Sequence, residues 1–255
     1  MKLPLATSLL LALLLGCDAG GQGGSEAREG PLSREAVVEQ LSEFDLLAYY
    51  PFNGNARDFG PNGYHGTAEG ATLTPDWRGR PNRAYAFDGD DRVALGDVLN
   101  EIRVPFTVAT WVRFTEDSVG SLFHSDLYPR TEPDSMYYGV GLQITHWDLR
   151  VHYTSGGPIG PQSRRSKYSS PVGLHDRWVH VIGVVRGPQD MSLYMNGRDI
   201  GGYYSGSGGP LRHNFWQAVI GDRFRGSMDD VMIFDRALSA HEVALLYRLM
   251  HADQA

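Results

Sequence analysis

Retaining hydrolysis of a glycosidic bond needs two carboxyl groups about 5 Å apart, one of them a tuned acid. The acidic residues inside the apolar, strand-like segments of this chain are Asp229 and Asp230. Neighbours on a regular strand point to opposite faces, so the pattern predicts no working pair. Other catalytic signatures are missing too. The nine histidines include no His-Glu-x-x-His, and His241-Glu242 lacks the second His. No Gly-x-Ser-x-Gly elbow, P-loop or dinucleotide fingerprint occurs. The single cysteine, Cys17, allows no intrachain disulfide. These residue types point away from catalysis and toward binding.

Sugars are bound by exposed aromatic rings that stack on their apolar faces, with polar groups nearby to orient the hydroxyls. Trp147, Tyr203, Tyr204 and Trp216 fall in or beside loop-like stretches, with His146, His213 and Asn214 close in sequence. The competing reading is that these rings pack loops onto the sheets. Trp111 and Trp178 lie within strand patterns and are expected in the core. Arg164-Arg165-Ser166-Lys167 could meet an anionic or sulfated glycan, or be simply solvated.

A calcium ion takes six to eight oxygens from carboxylates and turn carbonyls. Asp58 sits in a loop rich in such carbonyls, at Gly60, Asn62 and Tyr64. Asp88, Asp90 and Asp91 form a second acidic cluster, which also reads as turn chemistry. The net charge is −7 and the basic residues are scattered, which argues against a nucleic-acid partner.

Residues 1–16 carry Lys2 and an apolar run ending Leu14-Leu15-Gly16-Cys17. The run is too short for a spanning helix. It resembles a bacterial lipoprotein signal peptide, which is cut before a cysteine that then carries lipid. An ordinary secretory signal or a buried thiol are the alternatives. Residues 17–31 read as a lipidated Cys17 and a Gly-rich tether, with a reach of about 20 Å.

Behind the tether, residues 32–45 predict a short helix, at about 34–43, with Ser33 as N-cap. Many short strands follow, at 46–52, 84–87, 92–95, 106–114, 120–124, 137–144, 149–153, 218–221 and 226–234. Residues 53–70 and the Gly/Pro/Ser-rich 156–170 read as loops. Residues 177–202 form a meander: an apolar strand at 178–185, a turn at 186–190 and an alternating strand at 191–195. Asn196-Gly197 suits a type I′ turn, which needs positive φ at both positions. Ser239 and Glu242 make a capping box for a C-terminal helix. These elements predict an all-β sandwich or jelly roll with short N- and C-terminal helices. It spans residues 46–250, with a tail at 251–255.

Four blocks, at 49–76, 84–96, 106–114 with 177–197, and 226–247, resemble in order the bacterial laminin-G-like jelly rolls of the concanavalin A-like lectin/glucanase superfamily. The resemblance covers about residues 46–247. It implies an all-β, two-sheet antiparallel jelly-roll sandwich with both sheets curved, and a role among lectins, carbohydrate-binding modules, adhesion domains or some glycosidases. It also implies one structural calcium ion between the Asp58 loop and the strand of Asp229. The glucanase branch's Glu-x-Asp-x-x-Glu strand is absent, and the nearest fragment is Glu43-Phe44-Asp45. The expected protein is a non-catalytic binding lipoprotein, anchored to a membrane of the bacterial cell envelope, for a carbohydrate or protein ligand. An envelope scaffold without glycan affinity and a divergent glycoside hydrolase are the alternatives.

Overall fold

In a computed structural model the chain divides into two units, Met1–Pro31 and Leu32–Ala255. The structure describes residues 39, 41–42, 44–115, 118–126, 138–145, 148–170, 175–214 and 216–251. The signal peptide, Cys17, the tether and most of the expected N-terminal helix lie outside them, although Glu39, Leu41 and Ser42 are helical. Among the described residues, no helix is long and apolar enough to cross a membrane.

Sixteen strands are described. They are β1 (Leu46–Tyr50), β2 (Thr67–Glu69), β3 (Thr72–Thr74), β4 (Ala84–Asp88), β5 (Arg92–Gly96), β6 (Phe106–Phe114), β7 (Gly120–His124) and β8 (Val140–Thr145). Then come β9 (Asp148–Thr154), β10 (Arg164–Tyr168), β11 (Trp178–Gly187), β12 (Asp190–Met195), β13 (Arg198–Asp199), β14 (Tyr203–Ser205), β15 (Ala218–Ile220) and β16 (Arg225–Phe234). The helix α1 (Ala240–His251) closes the described chain. The first sheet runs β13-β12-β11-β6-β16-β4-β3, with β1 added alongside β16. The second runs β14-β10-β9-β8-β7-β15-β5-β2. All strand pairs are antiparallel, so the expected sandwich is the observed one.

Period-two alternation assigns the faces. On β6, Phe106, Val108, Val112 and Phe114 enter the inter-sheet core, as do Val179, Val181 and Val185 of β11. From the second sheet, Leu142, Ile144, Leu149, Val151 and Tyr153 meet them. Asn196 and Gly197 have φ of 50° and 74°, as the type I′ reading requires. Helix α1 covers the outer face of the first sheet through Val243, Leu246 and Met250, packed with Ala109, Ile182, Met232 and Phe234. Glu242 accepts the Ser239 N–H (2.8 Å) and Ser239 Oγ accepts the Glu242 N–H (3.3 Å), so the capping box forms. Trp77 stacks on Trp111 (4.3 Å between centroids) and on His251 (5.1 Å), fastening the helix end to the sheet.

Three sequence expectations change. Residues 156–170 are not all loop: a single 3-10 turn at Pro161–Ser163 leads into β10. The short strands β2, β3, β13 and β14 escaped the pattern, being only two or three residues long. Trp111 is buried as expected, whereas Trp178 is half-buried at the start of its strand.

Candidate functional site

The outer face of the second sheet carries the other half of the alternation. Strand register places its residues in transverse rows. One row runs Tyr203, Tyr168, Arg150, Gln143 and Ser121 across β14, β10, β9, β8 and β7. The next runs Ser205, Ser166, His152, Gly141 and His124 across the same strands. The first row is mostly long side chains and the second begins with short ones. Together they form a ledge beside a polar floor.

The ledge is organised around stacked rings. Tyr203 is 55% exposed and lies parallel to Tyr168, with centroids 5.6 Å apart and planes 10° apart. The Arg150 guanidinium donates to the Tyr168 hydroxyl at 3.0 Å and lies 5.5 Å from its ring. Next along, Gln143 Nε2 donates to Ser121 Oγ at 3.0 Å. On the floor, Ser166 and His152 are buried at 0% and 1% exposure. A Cβ on Gly141 would lie 2.5 Å from His152 Cε1, so glycine is what lets the imidazole lie across β8. Burial holds the His152 pKa well below the usual histidine range, and Arg150, His124 and Arg164 push the same way. His124 is lowered to about 4, again mainly by burial. Both rings are therefore neutral near pH 7 and can donate at one nitrogen and accept at the other. Among the described residues, neither row contains a carboxylate.

Of the aromatic residues singled out in the sequence, Tyr203 alone joins these rows; Trp147 and His146 lie outside the described residues. Tyr204 turns to the opposite side of its strand. Its hydroxyl donates to Gln189 O (2.8 Å) and accepts the Met191 N–H (2.9 Å), closing the sandwich edge. Trp216 sits edge-on to Tyr138, 5.2 Å away. His213 engages Asp126 Oδ2 through Nδ1 and Ile102 O through Nε2 (2.8 Å), so both nitrogens serve a loop clamp. The basic cluster is divided by strand alternation. Arg164 faces outward, while Arg165 and Lys167 flank the Tyr204 ring and donate to Gly206 O (2.6 Å) and Met191 O (2.9 Å). It is not one anion-binding patch.

The calcium donor set does not fit. Asp58 Oδ1 accepts the Tyr49 and Gly60 N–H groups at 2.8 and 2.7 Å, and Oδ2 accepts the Tyr64 N–H at 2.8 Å. Three N–H dipoles aimed at one carboxylate repel a cation, and they make Asp58 the clasp of its own loop. Asp229 accepts the Asp230 N–H at 2.8 Å. Among the described residues, no three His, Cys, Asp or Glu side chains are grouped to hold a metal.

Asp229 and Asp230 also correct the opposite-face expectation. Pairing of β16 with β6 jumps from Asp229↔Trp111 to Met232↔Ala109, and Asp230 has φ 48°. This bulge turns both carboxyls to the outer side of the first sheet, where Asp230 accepts the Tyr49 hydroxyl at 2.6 Å. Both are buried, at 2% and 9% exposure, and lie on the sheet opposite the rows just described. Burial raises Asp229 well above the carboxylate range, with Asp230 and Asp76 adding to it. Burial raises Asp230 to about 6 against the opposing pull of Tyr49 and Arg78.

The chain belongs to the concanavalin A-like lectin/glucanases superfamily, whose laminin G family model matches residues 87–244. No curated protein matches it significantly. Among solved structures it is similar to domain 4 of AbnA, a GH43 extracellular arabinanase from Geobacillus stearothermophilus, in complex with arabinotriose. That match has 18% identity and a TM-score of 0.54, over 80% of this chain and 98% of the other. It is also similar to the receptor binding domain of botulinum neurotoxin D, at 15% identity and a TM-score of 0.57. The binding domain of Paraclostridial Mosquitocidal Protein 1 aligns at 16% and 0.54. The chain spans about half of each toxin domain, 52% in both cases. At these identities the likeness is one of fold.

Two outcomes follow from the acidic groups. Asp230 has a folded pKa above its unfolded value, so its contribution to stability is complete below pH ~4 and is lost as pH rises through about 6. Asp230→Asn keeps an acceptor for Tyr49 and removes that loss. Chemical denaturation from pH 4 to 8 will therefore show wild type falling relative to the variant, by on the order of 2 kcal/mol. The melting temperature will be the same in millimolar calcium and in excess chelator, because a ligand that bound the native state would raise it.

Proposed function

We propose that this protein is a non-catalytic carbohydrate-binding module, displayed at a bacterial cell envelope by lipid on Cys17. The observation that carries the reading is the Tyr203–Tyr168 stack at the open end of the polar rows. Tyrosine offers a flat apolar face with little conformational entropy to lose, and Arg150 already holds Tyr168 in place. A sugar ring can therefore settle on a platform that needs little reorganisation. Within the rows Tyr203 is exposed and Tyr168, Ser205 and Gln143 are half-buried, so a ligand would meet the tyrosine end first. The lack of carboxylates among the described residues of both rows supports binding over hydrolysis. The arabinotriose complex of the similar arabinanase domain and the receptor-binding role of the toxin domain support a ligand-binding use of the fold. The Leu14-Leu15-Gly16-Cys17 ending supports the lipid anchor.

Titration calorimetry with arabinotriose, cellotriose, laminaritriose and mannotriose tests the binding reading. At least one trisaccharide will bind, and Tyr203→Ala will weaken it about tenfold without moving the melting temperature. Binding to none of the four, or equal binding by the variant, overturns the platform. For the anchor, Cys17→Ser will shift the protein from the membrane fraction to the soluble fraction and block lipid labelling; unchanged fractionation rejects it.

A further inference from the structure

Three connecting segments meet where β5 and β7 end and β15 begins. Ile102 lies in the connection after β5, Asp126 follows β7 and His213 precedes β15. The His213 ring bridges the other two, with Nδ1 on Asp126 Oδ2 and Nε2 on Ile102 O (2.8 Å). A backbone carbonyl only accepts hydrogen bonds, so Nε2 must carry a proton. An ionised carboxylate also only accepts, so Nδ1 must carry one too. A neutral imidazole has a single N–H. It would set a nitrogen lone pair against an oxygen at one of its two contacts.

The other bonds to Asp126 suit the ionised form. Its Oδ1 accepts the Asn214 N–H at 3.0 Å, and its Oδ2 accepts the Ser125 hydroxyl at 3.0 Å. Ser125 Oγ accepts the Val140 N–H (2.9 Å), which leaves its own proton for Asp126. Burial pushes the Asp126 pKa up. The His213 bond, the Asn214 N–H, the His213 charge and the Ser125 bond outweigh it and hold the group below the usual carboxylate range. The other charged and titratable neighbours, among the described residues, are few. His124 Nδ1 accepts the Asp126 N–H (3.2 Å) and is neutral near pH 7, with Arg150 and Asp222 acting on it from its other sides. Arg103 Nη1 shares the Ile102 carbonyl at 3.2 Å, and its Nη2 lies 3.3 Å from Glu101 Oε2. The carbonyl has two lone pairs and serves both donors. Asp126 is the carboxylate that meets the ring; its side chain is 0% exposed and that of His213 is 9%.

From this geometry we infer that His213 is held as an imidazolium and that its joint with Asp126 and Ile102 is a proton-dependent clamp, closed while the ring carries both protons and opened by the loss of one. The inference does not rest on the carbohydrate reading. The folded clamp binds a proton that the open one releases, so its contribution is present on the acid side and is lost as pH rises. What it controls is the connection from β14 to β15. Gly139 N–H donates to Arg212 O (2.8 Å) and Arg212 N–H donates to Thr154 O (2.9 Å), so this connection is seated on the end of β9 beside the clamp.

Nitrogen-15 NMR of the histidine side chains in the full chain reads the protons directly. At pH 7 both ring nitrogens of His213 will be protonated, whereas buried His124 will show one bare nitrogen. The Asn214 amide reports opening. Its protection from hydrogen exchange, corrected for the intrinsic pH dependence, will fall about tenfold from pH 6 to pH 10. Asp126→Asn keeps an acceptor oxygen but removes the charge, and will leave His213 with one bare nitrogen at pH 7. His213→Gln keeps a donor that does not titrate, and will flatten the protection profile. A bare nitrogen on wild-type His213 at pH 7, or wild-type protection constant over the range, overturns the clamp whether or not the variants fold. Both protons persisting in Asp126→Asn, or an equal fall in His213→Gln, overturns it as well.

Discussion

Alternation along β9 and β10 is the constraint on which the rest of the second sheet depends. Leu149, Val151 and Tyr153 must enter the inter-sheet core, and that requirement sends Arg150, His152 and Thr154 to the other face. A slip of one residue would bury an arginine and a histidine among the apolar side chains of the first sheet. The polar rows are therefore the reverse side of the core and inherit its rigidity. Gly183 shows how close the contact is. A Cβ there would lie 2.7 Å from Val151 Cγ2 and 2.9 Å from Leu142 Cδ1. The bare backbone in the middle of β11 lets the second sheet seat fully, and that seating fixes where Arg150 and His152 stand.

The acidic residues that looked most like ligands turn out to fasten strand β1. Tyr49 is held twice: its N–H by Asp58 and its hydroxyl by Asp230. One carboxylate secures the long loop after β1 and the other ties β1 to the bulge of β16. Asp58 accepts from three N–H groups. Asp230, enclosed beside Asp229, is driven toward the protonated form by burial. One residue type thus fastens both ends of one tyrosine from two different surroundings.

Much of the sandwich was legible because its central strands state their faces plainly. Residues 106–114 place Phe106, Val108, Val112 and Phe114 on one face, and Asn196-Gly197 specifies its turn by backbone sterics alone. What failed was structure set by neighbours. Strand β10, RRSKY, has a composition that reads as solvated loop. It becomes a strand because β9 and β14 supply ladder partners on both sides. The bulge at Asp230 depends on how β16 meets β6, and nothing local announces a positive φ at an aspartate. The candidate binding face divides the same way. Tyr203 could be named as an aromatic beside a glycine-rich stretch, but Tyr168 gains its role from lying opposite it. One signal for that face does lie in the sequence. In β9, DLRVHYT, every second residue is polar, which marks Arg150 and His152 as one outward set.

A jelly roll of this superfamily does not by itself define a ligand, so the distinction must come from side chains that the fold does not require. Tyr203 meets that condition: it is 55% exposed, lies parallel to Tyr168 and belongs to neither core. Buried unpartnered polar atoms do not separate the two outer faces, since the first sheet has its own on His180 and Trp111, packed against Tyr247 of helix α1. On the second sheet Ser166 and His152 are buried as well, and burial keeps the His152 ring uncharged, with Arg150, His124 and Arg164 adding to it. The distinguishing feature of the second sheet is therefore its exposed aromatic edge, an apolar surface that the packing of the sandwich does not use.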